Sequence, residues 1–360
     1  STVTYTASGS LTKPLSWTTG TVIVSNSGEN LVATSSNFDN HTSDLSQFAV
    51  TANAPSSAAA LGVNTSNGSA ALTLANMANN GTLELTNAGN GVTVTMADAS
   101  GSTDTFNIVT KVDASDLIFG TVTVSGVETI NITADDITPV NTTTGLATIS
   151  KATMTLSDAA VKTIVITGDS DLDLTAAGAS LKTVDAQAMT GALKFSSAVN
   201  DAVITGGSGN DILTATGSNQ KLIGGAGDDI LTGGTLATLT GGAGNDTFVI
   251  AAGLSNVNSY ATITDLSAGD VIDTASSVFV SAKVTLANTA VFQDYANEAI
   301  KTSSNTDVRW FQFDGNTYVV QNDSGSTSFV NGTDDIIKIT GLVDLSTATF
   351  NATNGEITIA

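Results

Sequence analysis

Three aspartates recur in one nine-residue frame: Asp211 in "GGSGNDILT" (206–214), Asp229 in "GGAGDDILT" (224–232) and Asp246 in "GGAGNDTFV" (241–249). Each closes a glycine-rich run. The runs are Gly206, Gly207, Ser208 and Gly209; Gly224, Gly225, Ala226 and Gly227; and Gly241, Gly242, Ala243 and Gly244. Glycine admits the positive φ of a tight turn and lets backbone carbonyls face inward. Carbonyl and carboxylate oxygens, roughly six or more together, are the ligand set of a hard cation such as Ca²⁺. All three runs fit G-G-x-G-x-D-x-U-x, with U apolar, and they lie 18 and 17 residues apart. Three fits in succession are a specific signal, which one isolated glycine motif is not.

Two degenerate units, "ATGSNQKLI" (215–223) and "GGTLATLT" (233–240), separate the intact ones. They lose the aspartate yet keep the apolar eighth position, so Leu213, Leu222, Leu231, Leu239 and Phe248 are expected to stack as an inner column. Each unit divides into a turn and a short strand. In a two-sheet roll one coil takes two units, so alternate turns share an edge. The intact turns then stack on one edge and form two gaps, giving one Ca²⁺ site between Asp211 and Asp229 and a second between Asp229 and Asp246. The opposite edge, neutral in both units, is expected to hold none. Without a cation the column stacks like charges, and with Ca²⁺ binding energy becomes folding energy.

Upstream, "VETINIT" (127–133), "VKTIVIT" (161–167), "LKTVDAQ" (181–187) and "VNDAVIT" (199–205) resemble one another, and "LATISKATMTL" (146–156) fills the gap before them. A strand recurring near every twentieth residue predicts a parallel β-solenoid over 127–205. Residues 1–126 read as short alternating strands. They include "TVIVSN" (21–26), "FAVTAN" (48–53), "TLELTN" (82–87) and "GVTVTM" (91–96), joined by Asn-Gly pairs in "ANNGT" and "NAGNG". Asn-Gly is a strong hairpin signal, so this region is expected to be antiparallel and β-sandwich-like. "APSSAAALG" (54–62) reads as a linker or short helix. The expected organisation is all-β: sandwich-like modules over 1–126, irregular solenoid over 127–205, a nonapeptide β-roll over 206–250 and a β-rich cap over 251–360.

Other acids offer weaker sites. Asp169, Asp171 and Asp173 in "TGDSDLDL" would share one strand face and could ligate Ca²⁺ or line a solvated turn. Asp135 and Asp136 have the same two readings. Asp265, Asp270 and Asp273 follow the roll and could ligate another Ca²⁺ or cap the solenoid. Asp334 and Asp335 read as surface acids, Trp310 and Phe311 as cap packing, and 292–301 as a short amphipathic helix.

The 33 acidic residues outnumber 11 Lys and Arg, a net charge of −22, which disfavours nucleic acid and anionic membranes as partners. No apolar run approaches the ~18 residues of a membrane helix. Cysteine is absent, which removes disulfides and thiolate chemistry. No N-terminal signal pattern occurs, though a chain starting at Ser1 gives that little weight. The lone histidine, His41, excludes an H-E-x-x-H zinc site, no G-x-S-x-G is present, and His41 sits among turn formers. Enzyme activity is not expected.

The nonapeptides resemble the calcium-binding RTX (repeats-in-toxin) β-roll of bacterial proteins exported by type I secretion. The likeness extends through "YATITDLSAGDVIDTAS" (260–276), which is similar to the segment that follows such rolls. The segments "NMANNGTLELTNAGNGVTVT", "GTVTVSGVETINITADD" and 311–346 resemble surface-layer (S-layer) proteins of the RTX type. That resemblance implies a secreted structural protein at the bacterial cell surface that self-associates into a Ca²⁺-bridged two-dimensional lattice. It also implies a C-terminal export signal, and lipopolysaccharide anchoring through a part outside this chain. The alternatives are a Ca²⁺-stiffened adhesin or binding module, for which Trp17 and Trp310 are the available tryptophans, and the non-catalytic C-terminal part of an exoenzyme.

Overall fold

Strands that bury every second residue build this protein. The computed structural model describes residues 2–5, 21–24, 31–34, 42–44, 60–64, 72–77, 79–85, 91–96, 98–138, 149–250, 255–274, 276–301 and 307–360, with side chains from residue 79 onward except Glu84. Two compact units divide the chain, Ser1–Gly191 and Ala192–Ala360.

In the first unit one sheet stacks Leu31–Thr34, Ala60–Asn64, Thr82–Leu85, Thr105–Val112, Thr129–Asp136, Thr163–Gly168 and Thr183–Met189, each parallel to the next. A second sheet stacks Thr42–Asp44, Leu72–Met77, Gly91–Met96, Leu117–Ser125, Lys151–Ser157 and Asp171–Ala177, also parallel. The chain visits the sheets in turn, one strand each per coil. Phe106, Ile130 and Ile164 from one sheet and Val122, Met154 and Leu172 from the other are buried. The outward positions are mainly Thr, Ser, Asn and Asp, and Asn131 Nδ2 donates to Asn107 Oδ1 of the preceding coil at 2.9 Å.

This parallel order overturns the expected antiparallel sandwich over 1–126. The described strands there all pair in parallel, including Thr2–Tyr5 with Thr21–Val24. Strand Thr105–Val112 pairs with Thr129–Asp136 along its whole length, so the ladder runs past residue 127. The physical reason lies at the corners. Asn80 has φ 63°, as a hairpin would need. Yet its N–H donates to Thr105 O at 2.8 Å, and Asn107 N–H donates to Gly81 O at 2.9 Å, both in the next coil. Asn-Gly supplies positive φ to a solenoid corner as readily as to a hairpin. "FAVTAN", residues 54–59, Trp17 and His41 lie outside the described residues.

In the second unit Leu193–Ser197, Ile212–Ala215, Ile230–Gly233, Thr247–Ile250 and Val271–Asp273 form one parallel ladder. Val203–Thr205, Lys221–Ala226, Thr238–Ala243, Ala261–Ile263 and Asp335–Ile339 form the other. Leu213, Leu231 and Phe248 from the first meet Leu222 and Leu239 from the second in a fully buried column.

Beyond the roll the pairing reverses. Val271–Asp273 takes Glu356–Thr358 antiparallel, and Asp335–Ile339 takes the hairpin Asp307–Phe313/Asn316–Gln321. Positive φ at Asp314 (45°) and Gly315 (74°) makes the hairpin tip. Helix Phe292–Ile300 lays Ala296, Ala299 and Ile300 against Phe311, Tyr318, Val320 and Ile336. Trp310 is buried with its indole N–H on Ser281 O at 2.9 Å. Such a cap covers sheet ends that would otherwise recruit further strands.

The cap also corrects the reading of Asp334 and Asp335 as surface acids, since both are fully buried. The Asp334 carboxylate accepts the N–H groups of Asp323, Ser324 and Val330 at 2.7–2.9 Å and the Ser324 hydroxyl at 3.0 Å. The 323–330 loop folds over it, and hydrogen bonds replace its water. Among the described residues no helix is long and apolar enough to cross a membrane.

Candidate metal centre

Asp211, Asp229 and Asp246 each end a turn that carries the chain from one sheet of the second unit to the other. Register fixes their stacking, because Ile212 lies opposite Ile230 and Ile230 opposite Thr247. The N–H of Asp211 donates to Asp229 Oδ1 at 2.7 Å, and the N–H of Asp229 donates to Asp246 Oδ1 at 3.0 Å. Asp270 is a fourth rung, accepting the N–H of Asp246 at 2.9 Å. All four carboxylates are about 1–2 % exposed.

The glycines make this closeness possible. Gly225, Gly227, Gly242 and Gly244 have φ of 123°, 112°, 110° and 140°. A Cβ on Gly225 would collide with the carbonyl oxygen of Gly207, and one on Gly242 with that of Gly225. At Gly224 a Cβ would overlap Asp229 Oδ2 and sit 2.6 Å from Gly241 O. At Gly206 it would overlap both Asp211 Oδ2 and Gly224 O. In each of two successive gaps, therefore, a carboxylate oxygen and the carbonyl of the next turn converge beside a bare glycine.

Converging oxygens without a donor between them need a proton or a cation. Asp229 Oδ2 is buried with no hydrogen-bond partner, whereas Asp211 Oδ2 accepts the Gly207 N–H at 2.7 Å. Burial pushes the Asp229 carboxyl up to about 8, opposed by the Asp211 N–H and reinforced by the charges of Asp211, Asp246 and Asp228. Burial likewise raises Asp246 to about 6, with Asp270, Asp265 and Asp228 adding repulsion. A divalent cation would supply the missing positive charge. The donor set of carboxylate plus carbonyl oxygen fits Ca²⁺, with Asp211, Asp229 and Asp246 and the Gly224 and Gly241 carbonyls as its holders. Among the described residues no three His, Cys, Asp or Glu side chains group into a metal site, as expected of turns that rely on carbonyls.

The lesser candidates fall elsewhere. Asp265 caps the last roll turn, accepting the N–H groups of Gly241 and Gly242 at 3.0 Å each. Asp270 also accepts the Ser267 N–H at 2.7 Å and the Ser267 hydroxyl at 3.1 Å, which closes its turn internally. Asp169 does not join Asp171 and Asp173 on one strand face. It lies in the preceding turn, where it accepts the Asp136 N–H at 2.9 Å. Asp171 and Asp173 face outward beside Lys151 and Thr153. Asp136 accepts the Ser150 and Thr138 N–H groups at 2.8 and 2.9 Å and works as a corner brace.

Two features escaped the nonapeptide pattern. Asn210, Asp228 and Asn245 form an outer ladder, with Asp228 N–H on Asn210 Oδ1 at 2.9 Å and Asn245 N–H on Asp228 Oδ1 at 2.8 Å. On the opposite edge Gln220, 1 % exposed, stands before its strand as the aspartates stand before theirs. Its amide accepts the Gly217 N–H at 2.8 Å and donates to Ser197 O at 3.1 Å, closing that corner without a charge.

A search of curated proteins finds no match to this chain. The family model of the RTX calcium-binding nonapeptide repeat (4 copies) matches residues 204–235 and 238–253, so the rungs Asp211, Asp229 and Asp246 belong to calcium-binding RTX repeats, while Asp270 lies beyond the matched residues.

Proposed function

We propose that this protein is a structural component of a bacterial surface layer, exported by a type I system and assembled outside the cell into a calcium-dependent two-dimensional lattice. The observation that carries this reading is the buried aspartate column. Asp229 and Asp246, each about 1 % exposed, are raised by burial beside further carboxylates, and a divalent cation would supply the charge that lets them ionise together. The roll is therefore coupled to ambient Ca²⁺, which suits a protein that stays unfolded during export and folds in a calcium-rich exterior.

The rest of the chain supports a scaffold rather than a catalyst. The sequence has one histidine, no cysteine and neither hydrolase motif. RTX repeat proteins are typically secreted, which agrees with the cysteine-free, strongly acidic composition. Self-association is the partner interaction in this reading, and lipopolysaccharide attachment would belong to a part outside this chain.

Electron microscopy of the purified chain during a Ca²⁺ titration, with circular dichroism in parallel and EGTA added afterwards, tests the reading. Ordered sheets that form with Ca²⁺ and dissolve with EGTA are the expected result. Folding without assembly would overturn the lattice and leave a calcium-stabilised binding module or export domain.

A further inference from the structure

Among the described residues two carboxylate oxygens are buried without a hydrogen-bond partner, Asp229 Oδ2 and Asp104 Oδ2. The first belongs to the calcium-binding repeats. The second lies in the other unit, at the end of the turn "DASGSTD" (98–104) that leads into strand Thr105–Val112. From this correspondence we infer that Asp104 and Glu128 hold a calcium site of their own, outside the nonapeptide repeats.

The local architecture repeats that of the roll. Asp104 is 7 % exposed and immediately precedes its strand, as Asp229 does. Its N–H donates at 3.0 Å to Glu128 Oε2 in the next coil, the relation that Asp211 bears to Asp229. The N–H groups of Glu128 and Thr129 donate back to Asp104 O at 3.1 and 3.0 Å. A bare glycine again borders the carboxylate: a Cβ on Gly101 would lie 2.7 Å from Asp104 Oδ2. Asn79 Nδ2 donates to Oδ1 at 3.1 Å, which leaves Oδ2 as the open ligand.

Charge favours a cation here. Asp104 and Glu128 are adjacent acids on stacked rungs, and the base beside them, Lys162, is half exposed with its ammonium 3.9 Å from Glu128 Oε1. That contact offsets part of the Glu128 charge and leaves Asp104 Oδ2 unmet. A buried carboxylate oxygen of this kind requires a proton, an enclosed water or a metal ion. Two carboxylates one coil apart offer hard oxygens of the kind Ca²⁺ takes. The spacing differs from the nonapeptide, since Gly101 precedes its acid by three residues, so no repeat pattern marks it.

The test is equilibrium dialysis of the full chain against radioactive Ca²⁺, comparing wild type, Asp104→Asn and Asp229→Asn. Asp104→Asn should lose one equivalent and retain those of the roll, while Asp229→Asn should retain the Asp104 equivalent. Unchanged stoichiometry in Asp104→Asn would overturn the site and assign Oδ2 to a proton or a water. Loss of every equivalent would also overturn it, because Asp104 would then act through the fold. If Asp104→Asn loses its β-type circular dichroism, Glu128→Gln decides, because it keeps an acceptor for the Asp104 N–H. A tenfold or greater weakening of one equivalent supports the site, and no change in any equivalent rejects it.

Discussion

The backbone N–H of Asp211 reaches across one coil to Oδ1 of Asp229 at 2.7 Å, and the same bond recurs from Asp229 to Asp246 and from Asp246 to Asp270. Asp229 thus spends one oxygen on the backbone of its neighbour and leaves the other open beside the gap, whereas Asp211 Oδ2 also accepts the Gly207 N–H and Asp270 Oδ2 the Ser267 N–H. The hydrogen bond sets the stacking distance, and the second oxygen is what a cation meets. Structure and ligand binding share one side chain.

Asp229 borders both gaps, so Asp229→Asn should weaken calcium binding by the roll more than Asp211→Asn does. The amide can keep the Asp211 bond through its oxygen but brings an N–H₂ to the gap in place of Oδ2. Isothermal titration should show a loss of more than tenfold in affinity, about 1.4 kcal/mol or more. Equal effects of the two variants would mean that the gaps act separately.

Gly225→Ala should lower the stability of the calcium-loaded roll sharply. Its φ of 123° is strained for any L side chain, and the new Cβ would collide with Gly207 O. Backbone strain alone costs roughly 1–3 kcal/mol. Gly315→Ala is the control, with φ 74° and nothing within 4 Å of its Cβ, so it keeps only the left-handed penalty of about 1–2 kcal/mol. Thermal melts in excess Ca²⁺ should place Gly225→Ala clearly below Gly315→Ala.

Much of this site was legible because the nonapeptide fixes side-chain position through backbone conformation. Asp211, Asp229 and Asp246 share a spacing, and the spacing sets the stack. Strand direction was not legible in the same way. Val92, Val94 and Met96 alternate inward in either a hairpin or a coil, and Asn80 turns the chain in both; only pairing between 82–85 and 107–110 distinguishes them. Asp334 was misread because its partners come from a loop that returns over it, a relation no local pattern records. Asp104 was invisible for a related reason: its significance rests on Glu128, 24 residues later.

Calcium-free protein should lose stability as pH rises. Asp229 and Asp246 have folded values of about 8 and 6 against an ordinary value of 3.8. Because both are raised, the folded roll holds more protons than the unfolded chain between those limits. The stabilising contribution is complete below about pH 4 and fades as pH climbs through 6 and then 8. Calcium binding has the opposite slope, since the cation displaces those protons. Urea melts in EGTA at pH 5 and pH 8.5 should find the pH 5 sample the more stable, and excess Ca²⁺ should reverse the order.

Gln220→Ala provides the contrast that separates the two edges of the roll. The substitution leaves the Gly217 N–H without its acceptor, whereas the Ser197 carbonyl keeps the Thr216 N–H at 2.9 Å and the Thr216 hydroxyl at 3.1 Å. One buried N–H left unpaired costs about 1–3 kcal/mol. No charge is involved, so the expected loss in unfolding free energy is the same fixed amount at every Ca²⁺ concentration that keeps the protein folded, with calcium affinity unchanged. Asp229→Asn should instead remove stability chiefly where Ca²⁺ is bound. A Gln220→Ala variant whose deficit disappears in saturating Ca²⁺ would mean that this edge also answers to the cation, and that the amide stands within a calcium-coupled corner rather than an independent one.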